Sequence, residues 1–128
     1  MIPWSPLAGS FLTGKYSRKD APPETTRTAS WGDTWKRRAT PEKFDVVDRV
    51  CEIADSRGKE PAQIALSWVK DRPGVTSPIL GAPRNVEQLD KNLGTTGWSL
   101  EERELNSLEE VSASSYAYPY NSIALVNA

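Results

Sequence analysis

The residues best equipped for chemistry fall into two sets. The first lies near the start, in IPWSPLAGSFLTGKY over residues 2–16, where Ser5, Ser10, Thr13 and Lys15 are interleaved with Gly9 and Gly14. Hydroxyls and a lysine supply donors, and glycines let backbone N–H groups approach a ligand closely, so this loop suits a phosphate or diphosphate. A Gly/Ser turn that binds nothing has the same composition. The second set is Arg84, Gln88 and Asn92. Asn85 can cap a helix, and a cation beside a helix N-terminus makes an anion site. Gln88 and Asn92, four residues apart, are neighbours on one helical face. A surface arginine with two solvated amides is the plainer account of the same residues.

Several chemistries are excluded. Gly9 to Lys15 spells G-x-x-x-x-G-K, but Tyr16 stands where a triphosphate loop needs Ser or Thr, and Pro22-Pro23 follows instead of a helix. The chain has no histidine and one cysteine, Cys51. That removes Ser-His-Asp and Cys-His nucleophile systems, His-containing metal sites and any internal disulfide, and it suggests a reduced, cytoplasmic setting. Sixteen Lys and Arg against 17 Asp and Glu give no field that would recruit nucleic acid or an anionic membrane. The cluster Trp35-Lys-Arg-Arg38 has no further basic stripe behind it and reads as a solvated helix start. No apolar run is long enough to span a bilayer, and no signal-peptide pattern precedes Pro3.

The elements that must position these residues follow from periodicity and punctuation. An apolar strand starts the chain and breaks at Pro6, and residues 17–39 form a long loop with short helical turns at most. Thr40-Pro41 opens a helix with Phe44, Val47, Val50, Cys51 and Ala54 on one face and Gly58 at its end. Pro61 opens another, with Ile64, Ala65, Trp68 and Val69 inward, stopped by Pro73-Gly74. Residues 75–80 read as a short buried strand, left through Gly81-Ala82. The helix after Asn85 turns Val86, Leu89 and Leu93 inward and ends at Gly94. Ser99 and Glu102 form a capping box for a last helix carrying Leu105, Leu108 and Val111. Strands alternating with helices predict an α/β fold with a parallel sheet, its helices as cover, and both candidate sets beyond the strands' C-terminal ends.

WSPLAGSFLTGKY at 4–16, PAQIALSWV at 61–69, PILGA at 78–82, VEQLDKNL at 86–93 and LEEREL from residue 100 together resemble the aldo-keto reductases. The resemblance runs in order over about residues 2–112. It implies a C-terminal fragment of a TIM (β/α)8 barrel: strands seven and eight with their helices and the terminal helices. Such barrels need about 250 residues, so the first half or more is expected to be absent. The partial barrel would span 1–112, with a tail at 113–128. The family transfers hydride between NADPH and aldehydes or ketones.

Carried onto this chain, the resemblance implies that Trp4 stacks on the nicotinamide and that Ser5, Leu7, Ala8 and Lys15 wrap the pyrophosphate. Arg27 matches an arginine of the long loop, near the adenosine. Arg84, Gln88 and Asn92 match the site for the adenosine and its 2′-phosphate. Two departures stand out: Ser10 replaces a glycine, and Pro83 is an extra residue before Arg84. The family's catalytic Tyr, Lys, Asp and His come from early strands, and nothing here matches them. The expectation is therefore an NADP-binding part of an oxidoreductase that is inactive alone, with exposed apolar faces that favour self-association or the missing barrel half. The alternatives are a non-catalytic nucleotide-binding or regulatory fragment, or the vestigial product of a truncated gene.

Overall fold

A computed structural model describes residues 1–19, 30, 32–80 and 85–113. Its helices are α1 (Asp33–Arg38), α2 (Pro41–Arg57), α3 (Pro61–Lys70), α4 (Val86–Leu93) and α5 (Glu102–Ser112), preceded by a 3-10 turn at Phe11–Thr13.

The helix ends are written in the chain. Proline at the first position of α2 and of α3 pre-sets φ and forfeits only an N–H that has no helical acceptor. Gly58 ends α2 in the left-handed conformation, φ 58°. Its N–H and that of Lys59 turn back to carbonyls of the last turn. Asn85 caps α4 by accepting from the Gln88 N–H at 2.9 Å.

Packing is organised around α3. Ile64, Ala65, Leu66 and Ser67 are consecutive and all buried, the mark of a helix covered on every side. It meets α2, α4 and the 3-10 turn, while α5 lies against α2. The main core joins Val50, Ile53 and Ala54 of α2 to Ile64 and Ala65 of α3 and to Leu100 and Leu108 at α5. At its edge, Arg57 donates twice to the Glu104 carboxylate, at 2.7 and 2.6 Å. That hydrogen bond, ahead of the cost of burial, holds the Glu104 carboxyl below its usual range.

The expected α/β barrel fragment is not what forms. The described residues are helical and contain no strand; Trp4 and Ile79 make a single isolated parallel bridge. Residues 1–4 and 76–79 do run side by side, with the N–H of Thr76 on the Met1 carbonyl at 2.8 Å and that of Ile79 on the Pro3 carbonyl at 3.0 Å. Pro3, Pro6 and Pro78 lack the N–H that would extend this contact into a ladder. Nor is 75–80 a buried strand, since Thr76, Ser77 and Ile79 are exposed. With no sheet among the described residues to cover, α2 and α3 bury their apolar faces against one another and against α5.

Two further expectations change. Val86 and Leu93, read as inward, are 72% and 47% exposed. The capping box of α5 uses Glu101 and Glu104 rather than Ser99 and Glu102. Leu100 is buried and the Ser99 carbonyl accepts from Arg57, so the chain stays out of the helix until Glu101.

Candidate functional site

The loop at 5–15 is anchored by its apolar residues; of its polar side chains Lys15 is exposed, Ser5, Ser10 and Thr13 are half-buried, and the Thr13 hydroxyl donates to the Ser10 carbonyl at 2.8 Å. Phe11 and Tyr16 are buried, with Phe11 5.0 Å from Phe44 and 5.8 Å from Trp35 between ring centroids, and Tyr16 5.0 Å from Trp35. Trp35 thus tucks under the loop while Lys36, Arg37 and Arg38 stay in solvent, as expected of a solvated helix start. Leu7 packs on the main core and Ala8 on the aromatic cluster. Their side chains are committed to packing, which leaves only their backbone for a ligand.

That backbone is coiled tightly. Ser5, Ala8 and Ser10 have φ of 58°, 49° and 74°, and Gly9 and Gly14 have 67° and 73°. Each non-glycine residue held there costs on the order of 1–2 kcal/mol. Ser10 therefore occupies a position that a glycine would fill without strain. The coil spends the N–H groups of Ala8, Phe11, Leu12 and Thr13 on its own carbonyls. Among the described residues, those of Leu7, Gly9 and Ser10 have no backbone acceptor, and backbone donors left over in a tight turn can serve an anion. Lys15 is exposed beside them, its ammonium 5.1 Å from the Tyr16 ring centroid. Trp4 is 77% exposed at the mouth of the loop.

The parallel contact of Trp4 with Ile79 runs both segments in one direction, so Ser5 and Leu80 leave it at the same end. Gln88 and Asn92 lie on α4 as read, Gln88 exposed and Asn92 half-buried. Glu87 shares the first turn with Gln88 and forms an ion pair with Lys91 at 3.4 Å. Arg27 and Arg84, and with them Pro83, lie outside the described residues. So do the tyrosines at 116–120.

Sequence reasoning overlooked two residues here. Gln63 joins α3 to α4 by donating to the Lys91 carbonyl at 2.7 Å. Its signal was the spacing from Glu60, an unusual N-cap that disguised the capping box. Glu104 was given no role in the sequence reading, and only the fold brings Arg57 to it.

Among the described residues no group of three or more His, Cys, Asp or Glu could hold a metal ion, and no helix is long and apolar enough to cross a membrane. An apolar cavity of about 30 Å³ bounded by Leu12, Val50, Trp68 and Leu108 falls far short of the several hundred Å³ of small-molecule pockets.

The Aldo/keto reductase family model matches residues 1–113. An uncharacterized oxidoreductase of Bacillus subtilis is 37% identical over 112 residues, covering 87% of this chain and 31% of that protein. L-glyceraldehyde 3-phosphate reductase of Escherichia coli is 35% identical over 96 residues, 72% of this chain and 27% of the relative. A chloroplastic pyridoxal reductase of Arabidopsis thaliana is 34% identical over 109 residues, with coverage of 85% and 27%. The chain belongs to the aldo/keto reductase family. It spans between a quarter and a third of the length of these relatives.

Proposed function

We propose that this chain is the NADPH-binding part of an aldo-keto reductase and carries none of the family's catalytic groups. The observation that carries the reading is the loop from Ser5 to Lys15, a family-matching segment with backbone donors not spent on its own carbonyls and an exposed cation, entered through an exposed indole. The residues present fit the cofactor. Trp4 offers a free aromatic face, and the N–H groups of Leu7, Gly9 and Ser10 with Lys15 offer donors to a diphosphate. Gln88 and Asn92 are assigned to the adenosine, with Arg84 and Arg27 as its cations. When bound, NADPH supplies the hydride that reduces an aldehyde or ketone. This chain's part is to hold and orient it, because no residue here takes the role of proton donor. The same reading places the protein in the cytoplasm, where Cys51 stays a thiol.

Titration of the purified chain with NADPH, followed by tryptophan emission, tests this. Saturable quenching is expected, lost in Trp4→Phe and shifted to about tenfold weaker binding in Lys15→Ala. Exposed Lys15 makes no ion pair among the described residues and loses only its contact with the Tyr16 ring, so the thermal melt should move little. No saturable signal, with the chain folded, would sink the reading.

A second reading concerns partners. Met1, Ile2, Trp4 and Ile79 are 78%, 62%, 77% and 46% exposed on the two adjoining extended segments. Apolar side chains beside unpaired backbone favour further chain pairing there. This supports self-association or a partner chain, expected as a mass in sedimentation that rises with concentration and falls in Ile2→Lys.

A further inference from the structure

The helix assigned to the adenosine has no obvious reason to stay in place. It has eight residues and no buried side chain, and helices this short are marginal in water without tertiary support. Its apolar Val86 and Leu93 point largely into solvent. Its ion pairs, Lys91 with Glu87 and with Glu60 at 3.6 Å, are solvent-exposed and contribute little.

Its last four carbonyls show what does hold it. A helix leaves these four without intrahelical donors. The Asp90 carbonyl accepts from Gly94 N–H, that of Asn92 from Thr95, and that of Leu93 from Thr96. Among the described residues, only the Lys91 carbonyl is served from another element, by the Gln63 side-chain amide of α3 at 2.7 Å. The other end of that amide is also occupied, because the Gln63 Oε1 accepts from the Glu60 N–H at 3.2 Å, the N-cap of α3. Both ends of one planar group are therefore fixed, and the amide ties the start of the most buried helix to the end of the most exposed. Gly94 leaves room for it, since a Cβ there would stand 2.4 Å from the Gln63 Nε2.

We infer that Gln63 is a positioning residue of the nucleotide site, clamping α4 to α3 so that Gln88 and Asn92 are held toward the ligand. The consequence for binding rests on the cofactor reading above; the clamp itself rests only on these contacts.

Two variants open it by different routes. Gln63→Glu keeps an acceptor for the Glu60 N–H, so the start of α3 is retained, but it removes the donor to Lys91. Gly94→Ala leaves Gln63 intact and displaces its amide, and at φ −61° the alanine brings no backbone strain. Amide hydrogen exchange should accelerate about five- to tenfold in residues 88–93 of both variants, in proportion to one lost hydrogen bond. Protection in α2 and α5 should be unchanged. The NADPH dissociation constant should rise by a similar factor, and the Lys15→Ala effect should persist in each background. Unchanged exchange in α4 would overturn the clamp, whether or not the chain binds NADPH. Accelerated exchange with unaltered NADPH affinity would confine Gln63 to a structural role. Absence of NADPH binding to the wild-type chain would strike the cofactor reading alone, leaving the clamp to be decided by exchange.

Discussion

The helices α2, α3 and α5 and the margin formed by α4 with the two extended segments obey different physics. In the first region Ile64, Leu66 and Leu108 are all but inaccessible, and apolar surface from three helices closes on itself. In the second, Trp4, Val86 and Leu93 face solvent, and single hydrogen bonds give much of the order: Ile79 to Pro3, Gln88 to Asn85, Gln63 to Lys91. Stability resides in the first region and the assigned ligand groups in the second. The loop from Ser5 to Lys15 bridges them, with Phe11 in an aromatic core that Tyr16 completes and with Lys15 exposed.

Removing side chains from the two regions should separate them most sharply. Leu108→Ala or Ile64→Ala should cost about 2–5 kcal/mol in urea unfolding, the range for large buried side chains. Leu93→Ala on the margin should cost less than about 0.5 kcal/mol. Comparable losses at the two places would abolish the distinction.

The bridging loop should be nearly as sensitive as the core at one point. Gly14 has φ 73°, and a Cβ there would stand 2.8 Å from the Cys51 Sγ. Gly14→Ala should cost about 2 kcal/mol, from left-handed strain plus contact with α2. Adding Cys51→Ala should return about half of that, because it relieves the contact and not the strain. Full recovery in the double variant would show that φ at this position is relaxed.

The Arg57–Glu104 pair sharpens the comparison through pH. Hydrogen bonding to Arg57 lowers the Glu104 pKa from the usual 4.5, so folding favours the ionised carboxylate. Its contribution is complete above about pH 4.5 and is lost as pH falls through the lower, folded value. Glu104→Gln should cost about 1–2 kcal/mol at pH 7, kept near the low end by solvent at Arg57. It should also flatten the acid limb of stability against pH. An acid limb identical to wild type would assign that slope to other carboxylates.

The smallest effect is expected at Val86. Val86→Ala should leave the melt within about 0.5 kcal/mol of wild type, and a larger loss would mean that this face of α4 is covered in solution.

How much of this was legible varies by element. Pro41, Gly58, Pro61, Asn85 and Gly94 mark helix ends with groups that act within one turn, and α2, α3 and α4 lie where those residues put them. The loop could likewise be read as a donor-rich turn, because glycines and hydroxyls advertise themselves locally. The cap of α5 was misplaced by two residues, since burial of Leu100 and the reach of Arg57 to Ser99 join positions 42 residues apart.

By itself, then, the sequence determined the family, the polar loop, the bounds of α2 and α4 and the start of α3, and those helix ends are set by interactions within a few residues of one another. Tertiary structure alone decided that the segments read as strands make one bridge and no sheet. A ladder needs a neighbour's N–H groups, and Pro3 and Pro78 remove their own. It alone also decided that α4 turns Val86 and Leu93 outward. An apolar stripe buries itself only where another surface arrives to cover it, and in this structure α3 meets α4 through the amide of Gln63 and the space left by Gly94.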